Sequence, residues 1–182
     1  MPRLFNRFLF AALFSGAAVS LSACGDQMEQ PAGPLISIEQ GQVAGVREGD
    51  LTVFKGIPYA EPPVGENRWK VPLAPGRWDG ILDGTLFGAS CVQPDVPETS
   101  LYHDPLPNMS EDCLTLNLWS HSDNSKAPVI VWIHGGSLRI GGSSQAMYEG
   151  REFADRGVVF VSLNYRLGVL GWLAHPELSA ES

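Results

Sequence analysis

Apolar residues in this chain fall into short runs punctuated by glycine and proline. Leu35, Ile36 and Ile38 form one run, closing near Gln40-Gly41; Val43, Ala44 and Val46 form the next. The turn Arg47-Glu48-Gly49-Asp50 separates these from Leu51-Thr52-Val53-Phe54. Short strands joined by glycine-containing turns predict an antiparallel meander. From Gly56 to Gly65 the chain carries Pro58, Pro62, Pro63 and a second glycine. Proline has no N–H for a ladder and breaks helices, so this stretch is expected to be an extended surface coil, with Trp69 and Trp78 anchored beneath it.

Further on, Leu114, Leu116 and Leu118 alternate with Thr115 and Asn117, the period of a half-buried strand. Val129-Ile130-Val131-Trp132-Ile133 is continuously apolar and β-branched, the pattern of a strand covered on both faces in a parallel sheet. Tyr148 to Arg156 is a short helix candidate with Gly157 as its left-handed cap, and Val158 to Leu163 is a second buried strand. Strand, loop, helix and strand make one βαβ unit. The predicted class is therefore α/β, antiparallel strands leading into a mostly parallel sheet.

The first two dozen residues follow another logic. Arg3 and Arg7 precede an apolar stretch from Phe8 to Leu21, about 14 residues, against the roughly 20 a spanning helix needs. Residues 1–23 are thus expected to be an export signal. It ends in Leu21-Ser22-Ala23-Cys24, which resembles the lipobox of bacterial lipoproteins. That resemblance implies acylation of Cys24 and a membrane partner reached through the lipid. If Cys24 is not acylated, the signal is an ordinary secretory one. Either way the protein leaves the cytoplasm, into compartments where disulfides persist. Residues 24–34 are polar and rich in proline and glycine, a flexible tether, and residues 35–182 form the domain.

Composition narrows the partners. The chain is 44% apolar and 18% charged, the balance of a globular domain. Lys plus Arg number 12 against 20 Asp plus Glu, a net charge of −8. With no basic run, no nucleic-acid partner is expected, since phosphate binding depends on clustered Lys and Arg. No Cys-x-x-Cys or paired-histidine spacing suggests zinc, and Gly141-Gly142-Ser143-Ser144 lacks the lysine of a phosphate-binding loop. No metal and no cofactor are expected.

The chemistry lies where strand 129–133 runs into His134-Gly135-Gly136-Ser137-Leu138. Together with Phe54-Lys55-Gly56-Ile57-Pro58-Tyr59-Ala60, Pro62-Pro63-Val64-Gly65 with Arg68-Trp69, and Phe87-Gly88 with Cys91, this loop forms an ordered set. Glu111-Asp112-Cys113-Leu114-Thr115-Leu116-Asn117 and Asn164-Tyr165-Arg166-Leu167-Gly168 with Gly171 complete it. The set resembles the N-terminal part of the type-B carboxylesterase/lipase family, the cholinesterase-like branch of the α/β-hydrolases. It spans about residues 35–178.

The resemblance implies a serine esterase acting on small-molecule carboxylic esters, with an oxyanion hole in the His-Gly-Gly loop. Gly136 and Ser137 would supply backbone N–H donors and Gly135 would shape the turn. Many members have glycine or alanine at the position of Ser137; the N–H survives that change. His134 precedes any nucleophile elbow, so it is read as a brace of the loop rather than a catalytic base. His103, His121 and His175 are read as surface or packing residues. Cys91 and Cys113 are expected to form a disulfide, which the family also has, with free thiols or a metal pair as the alternatives. Arg68 and Glu111 match a family ion pair; Arg166 matches a position whose family partner lies beyond residue 182. Residues 92–112 contain Tyr102 but no tryptophan, so choline esters are not implied.

The nucleophile is missing from these 182 residues. Ser90, Ser137, Ser143 and Ser144 each follow a glycine by two, yet the residues two beyond are Val92, Arg139, Gln145 and Ala146, so no Gly-x-Ser-x-Gly occurs. The expected fold is an α/β-hydrolase truncated before that elbow, and the chain alone is expected to be inactive. By resemblance, strand 158–163 lies between the antiparallel strands and strand 129–133, leaving the far edge of 129–133 bare. Three readings share these features: an esterase seen as an N-terminal fragment, a non-catalytic binding protein of the same fold, and an inactive truncated remnant.

Overall fold

The computed structural model describes residues 33–100, 103–121 and 126–180. The export signal, Cys24 and most of the tether lie outside these, and the description below concerns the unit Pro31–Ser182.

The meander forms where turn glycines allow it. Strands β1 (Leu35–Ile38) and β2 (Gly41–Ala44) pair antiparallel, and β3 (Val46–Glu48) turns at Gly49, φ +65°, into β4 (Leu51–Pro58). A short strand, β5 (Ile81–Asp83), joins β2 in parallel. Two-residue strands β6 (Ser90–Cys91) and β7 (Met109–Ser110) tie the ends of the cysteine loop together. The main sheet is completed by β8 (Thr115–His121), β9 (Val129–Ile133) and β10 (Val159–Leu163), in the order β3-β4-β8-β10-β9. Strand β10 is antiparallel to β8 and parallel to β9, so it sits between them as expected. The β9–β10 crossover contains helix α1 (Arg151–Ala154), and α2 (Gly168–Trp172) and α3 (Pro176–Ala180) follow. Among the described residues no helix is long and apolar enough to cross a membrane.

Four expectations outside β9 need correction. First, β4 does not stop at the glycine: it runs through Gly56 and Ile57 to Pro58, with a register jump between Phe54 and Ile57. Gly56, at φ +65°, absorbs the extra residue of a β-bulge, and Pro58 sits at the strand end. The coil begins only at Tyr59. Second, the tryptophans anchor other elements. Trp78 donates from Nε1 to the Gln42 carbonyl and packs on Val43, Phe54 and Ile57, while Trp69 donates to the Val169 carbonyl on α2. Third, β8 is covered on both sides. Asn117 and Trp119 are buried on one face, and Leu116 and Leu118 pack against the Val43–Phe54–Ile57 cluster on the other. Fourth, the helix is a single turn, preceded by a 3-10 turn at Ala146–Tyr148. Its cap is as expected: Gly157 has φ +81°, its N–H donates to Ala154, and Val158 N–H reaches back to Phe153.

The core under the crossover is aromatic. Trp119 and Phe160 are fully buried with Leu51, Val53 and Ala154, and Phe153 stacks on Phe160 at 4.7 Å. Gly150 lets α1 lie this close: a Cβ there would come within 2.5 Å of Phe160 and 2.8 Å of Trp119. Neither ring can step aside in a packed interior. Gly150→Ala is expected to cost about 1–3 kcal/mol, read as a lower thermal midpoint.

Strand β9 was expected to be covered on both faces, and here it is not. All five of its residues are 38–64% exposed. Among the described residues it pairs only with β10 and nothing covers its other edge, and the strand itself carries no charge, proline or bulge to protect it. Residues 24–182 expressed alone are therefore expected to aggregate. Val131→Lys is expected to raise the soluble fraction in sedimentation. A soluble monomer of the unaltered chain with a sharp cooperative melt would contradict this.

Candidate functional site

At the end of β9 the backbone turns sharply. Gly136 has φ +112°, and Ser137 and Leu138 follow at +57° and +61°. Left-handed geometry in two consecutive side-chain-bearing residues is uncommon and persists only where surroundings impose it. Three bonds impose it here. The Gly136 carbonyl accepts the N–H groups of Arg139 and Ile140, both at 3.1 Å, and the Leu138 carbonyl accepts Gly168 N–H at 2.8 Å. A Cβ on Gly136 would collide with the Ile140 carbonyl, whereas one on Gly135 would meet open space. Of the two glycines, the conformational demand falls on Gly136.

Among the described residues, no acceptor takes the N–H of Gly136 or of Ser137. Both residues border a cavity of about 420 Å³, walled also by Arg139, Ile140 and the Pro94–Pro97 segment. Two N–H donors without an acceptor among the described residues, in residues that border an open space, are available to a negatively charged oxygen.

His134 lies under this loop, buried. Its Nδ1 is 2.8 Å from the Gly135 carbonyl, and its ring stacks on Tyr165 at 4.5 Å. The Tyr165 hydroxyl donates to the His134 carbonyl at 2.7 Å. Burial holds the imidazole below its ordinary pKa of 6.5, with the Gly135 carbonyl acting weakly the other way. A neutral, stacked imidazole suits a brace. Burial likewise raises the Tyr165 phenol, keeping it a donor.

Behind the loop, a polar network links β4, β8, β10 and the loop after β9. Asn117 on β8 donates from Nδ2 to Ser143 Oγ at 3.0 Å and Ser162 Oγ at 3.1 Å, and its Oδ1 accepts Gly56 N–H at 3.0 Å. Asn164 Oδ1 accepts Ser143 N–H at 2.8 Å, and its carbonyl accepts the Tyr59 hydroxyl at 2.6 Å. A usable signal existed: Asn117 and Asn164 stand in or beside apolar strands, where an amide is too costly to bury without partners.

The remaining candidates are placed as follows. Cys91 and Cys113 are joined by a disulfide, with Cα atoms 5.1 Å apart. Arg68 grips Glu111 with two bonds, Nε to Oε2 at 2.6 Å and Nη2 to Oε1 at 2.7 Å. Arg166 makes no ion pair among the described residues. His121 lies 3.5 Å from Asp155; His103 and His175 are exposed. Among the described residues no group of three or more His, Cys, Asp or Glu could hold a metal ion.

The hydrogen bond from Arg68 holds the Glu111 carboxyl below its ordinary 4.5. A depressed carboxylate stabilises the folded state above its ordinary pKa, and that contribution is lost as pH falls through the lower folded value. Thermal stability of the unaltered protein is therefore expected to decline more steeply in acid than that of Glu111→Gln, in a series of melts below neutral pH.

Known proteins share this architecture. The profile of the carboxylesterase family matches residues 32–181. A para-nitrobenzyl esterase of Bacillus subtilis (strain 168) is 44% identical over 141 residues, 76% of this chain and 29% of that protein. A fumonisin B1 esterase of Sphingopyxis macrogoltabida is 44% identical over 146 residues, 79% of this chain and 26% of that protein. A solved PNB esterase structure superposes with a TM-score of 0.73 at 40% identity, covering 79% of this chain and 30% of the other. A thermophilic PNB esterase gives 0.72 at 41%, over the same shares. The chain thus spans less than a third of the length of these relatives. With the fold, the turn at Gly136 and a match over nearly the whole described chain in agreement, this chain belongs to the carboxylesterase family.

Proposed function

We propose that the chain supplies the oxyanion loop of a serine hydrolase of small-molecule carboxylic esters. The observation carrying this is the pair of N–H groups at Gly136 and Ser137, without an acceptor among the described residues, in residues that border an open cavity. Ester cleavage passes through a tetrahedral intermediate whose carbonyl oxygen becomes negative, and preorganised amides stabilise that charge. A serine would attack the carbonyl carbon, a histidine would take its proton and return it to the leaving alkoxide, and water would release the acid in a second cycle. Serine, acid and histidine would come from sequence beyond residue 182 in the complete protein. The names of the esterase relatives support this reaction class.

Two measurements decide it. An in-frame Gly-x-Ser-x-Gly after codon 182, with hydrolysis of p-nitrophenyl acetate by the encoded protein, supports the esterase. The same elbow with its serine replaced indicates a binding protein, and a genuine stop indicates a remnant. The 182-residue product is expected to show no hydrolysis above background.

We also propose that the protein is exported and held to a membrane by lipid on Cys24. The signal pattern supports this, as does a disulfide suited to an oxidising compartment. Cys24→Ser should abolish incorporation of labelled palmitate; unchanged labelling refutes the anchor.

A further inference from the structure

The cysteine loop meets the loop after β9 through one side chain. Gln93 lies two residues past Cys91. Its Oε1 accepts Gly141 N–H at 2.7 Å, and its Nε2 donates to the Gly141 carbonyl at 2.8 Å and the Cys91 carbonyl at 3.0 Å. One amide group thus takes the place of a neighbouring strand, satisfying both backbone groups of Gly141. Gly141, at φ +109°, lies against the start of its own loop: a Cβ there would come within 2.6 Å of His134 Nδ1 and 2.8 Å of the Gly135 carbonyl. The two ends of segment 134–141 therefore close on each other, and the Gly136 carbonyl ties the middle to Arg139 and Ile140. Gln93 links this closed loop to Cys91, which the disulfide and the β6–β7 pairing hold in place.

We propose that Gln93 is a positioning residue for ester hydrolysis. By clamping Gly141 to Cys91, it keeps the loop in the turn that presents the Gly136 and Ser137 amides to the cavity. This rests on those amides being the oxyanion donors, as proposed above. Donors of that kind act on the transition state rather than on bound substrate, so the clamp should affect kcat and leave KM alone. A misplacement of about 1 Å at such a site costs about 100-fold in rate.

The test uses the complete protein that the gene encodes. Gln93→Ala is expected to lower kcat for p-nitrophenyl acetate by about 10–100-fold with KM within about twofold. It is also expected to speed amide hydrogen exchange at residues 139–141, whose N–H groups are bonded in the loop. Gln93→Glu, nearly isosteric, guards against a folding failure. At neutral pH its carboxylate faces two carbonyl oxygens, whereas its protonated form regains an O–H donor for the Gly141 carbonyl. Its kcat relative to the unaltered enzyme should therefore rise as pH falls from 8 to 5, which a merely structural role would leave flat.

Unchanged exchange at 139–141 in Gln93→Ala overturns the clamp, as does a kcat loss matched by a rise in KM or a flat ratio for Gln93→Glu. If the unaltered protein cleaves no ester, the esterase reading falls. Exchange then decides the clamp alone: faster exchange at 139–141 sustains it as a loop anchor, and unchanged exchange removes it too.

Discussion

Gly136→Ala in the complete enzyme is expected to reduce kcat for p-nitrophenyl acetate by at least about 100-fold, with KM little changed. The residue holds φ +112°, and the space a Cβ would need is taken by the Ile140 carbonyl. An added methyl therefore moves the loop itself. Losing one oxyanion donor typically removes roughly 2.7–4 kcal/mol of transition-state stabilisation, which is about 10²–10³ in rate. Ser137→Gly is the control. Its N–H survives and glycine adopts φ +57° more readily than serine, so kcat should stay within about threefold. A Gly136→Ala enzyme with unaltered kcat and an unaltered melt would remove the oxyanion assignment.

The second large effect is on stability. Asn117→Leu preserves volume but strips three bonds from a fully buried position. Gly56 N–H loses its acceptor at the bulge, where the strand ladder offers none in exchange. The Ser143 and Ser162 hydroxyls lose a donor, although Ser162 still donates to the Ser143 carbonyl at 3.2 Å. A buried N–H left unpaired costs about 1–3 kcal/mol, and the lost hydroxyl partners add to it. A total of about 3 kcal/mol would lower the thermal midpoint of the complete protein by a few degrees, since the shift per kcal/mol shrinks as chain length grows. Ser162→Ala, which removes one node of the network, should fall well short of that. Equal effects from the two, in calorimetry of the same protein, would show that Asn117 is not the hub.

The difference between what could be read early and what could not follows one line. Gly157 and Gly49 were legible because a left-handed backbone is a local demand that glycine alone meets cheaply. The strand–helix–strand order between Val129 and Leu163 was legible because apolar periodicity reports local conformation. Gly56 misled for an instructive reason. Its local preference was judged correctly, but a bulge lets a strand carry one such residue when a partner, here Asn117, takes the freed N–H. On β8, alternation marked which residues share a face, yet polar Asn117 and Thr115 are buried as deeply as their neighbours, because layers from distant segments cover both sides.

The candidate site divides the same way. Residues 134–138 drew attention through motif and strand context. For their supports, Gln93, Tyr59, Tyr165 and Ser143, no local signature states the partner; they act across 26 to 105 positions of chain, through bonds that pair one side chain with a remote carbonyl or amide.

From the order of residues alone came the elements, the turn glycines and the α/β class, since each depends on neighbours within a few positions, and the likeness to ester-cleaving proteins, which rests on local motifs in a fixed order. Tertiary structure alone decided that the residues of β9 stay exposed rather than covered on both faces, that Gly136 rather than Gly135 bears the strained turn, and that Asn117 and Gln93 hold the loop from behind. Burial and hydrogen-bond partnership belong to pairs of segments far apart in the chain, and no single stretch of sequence states which pair will meet.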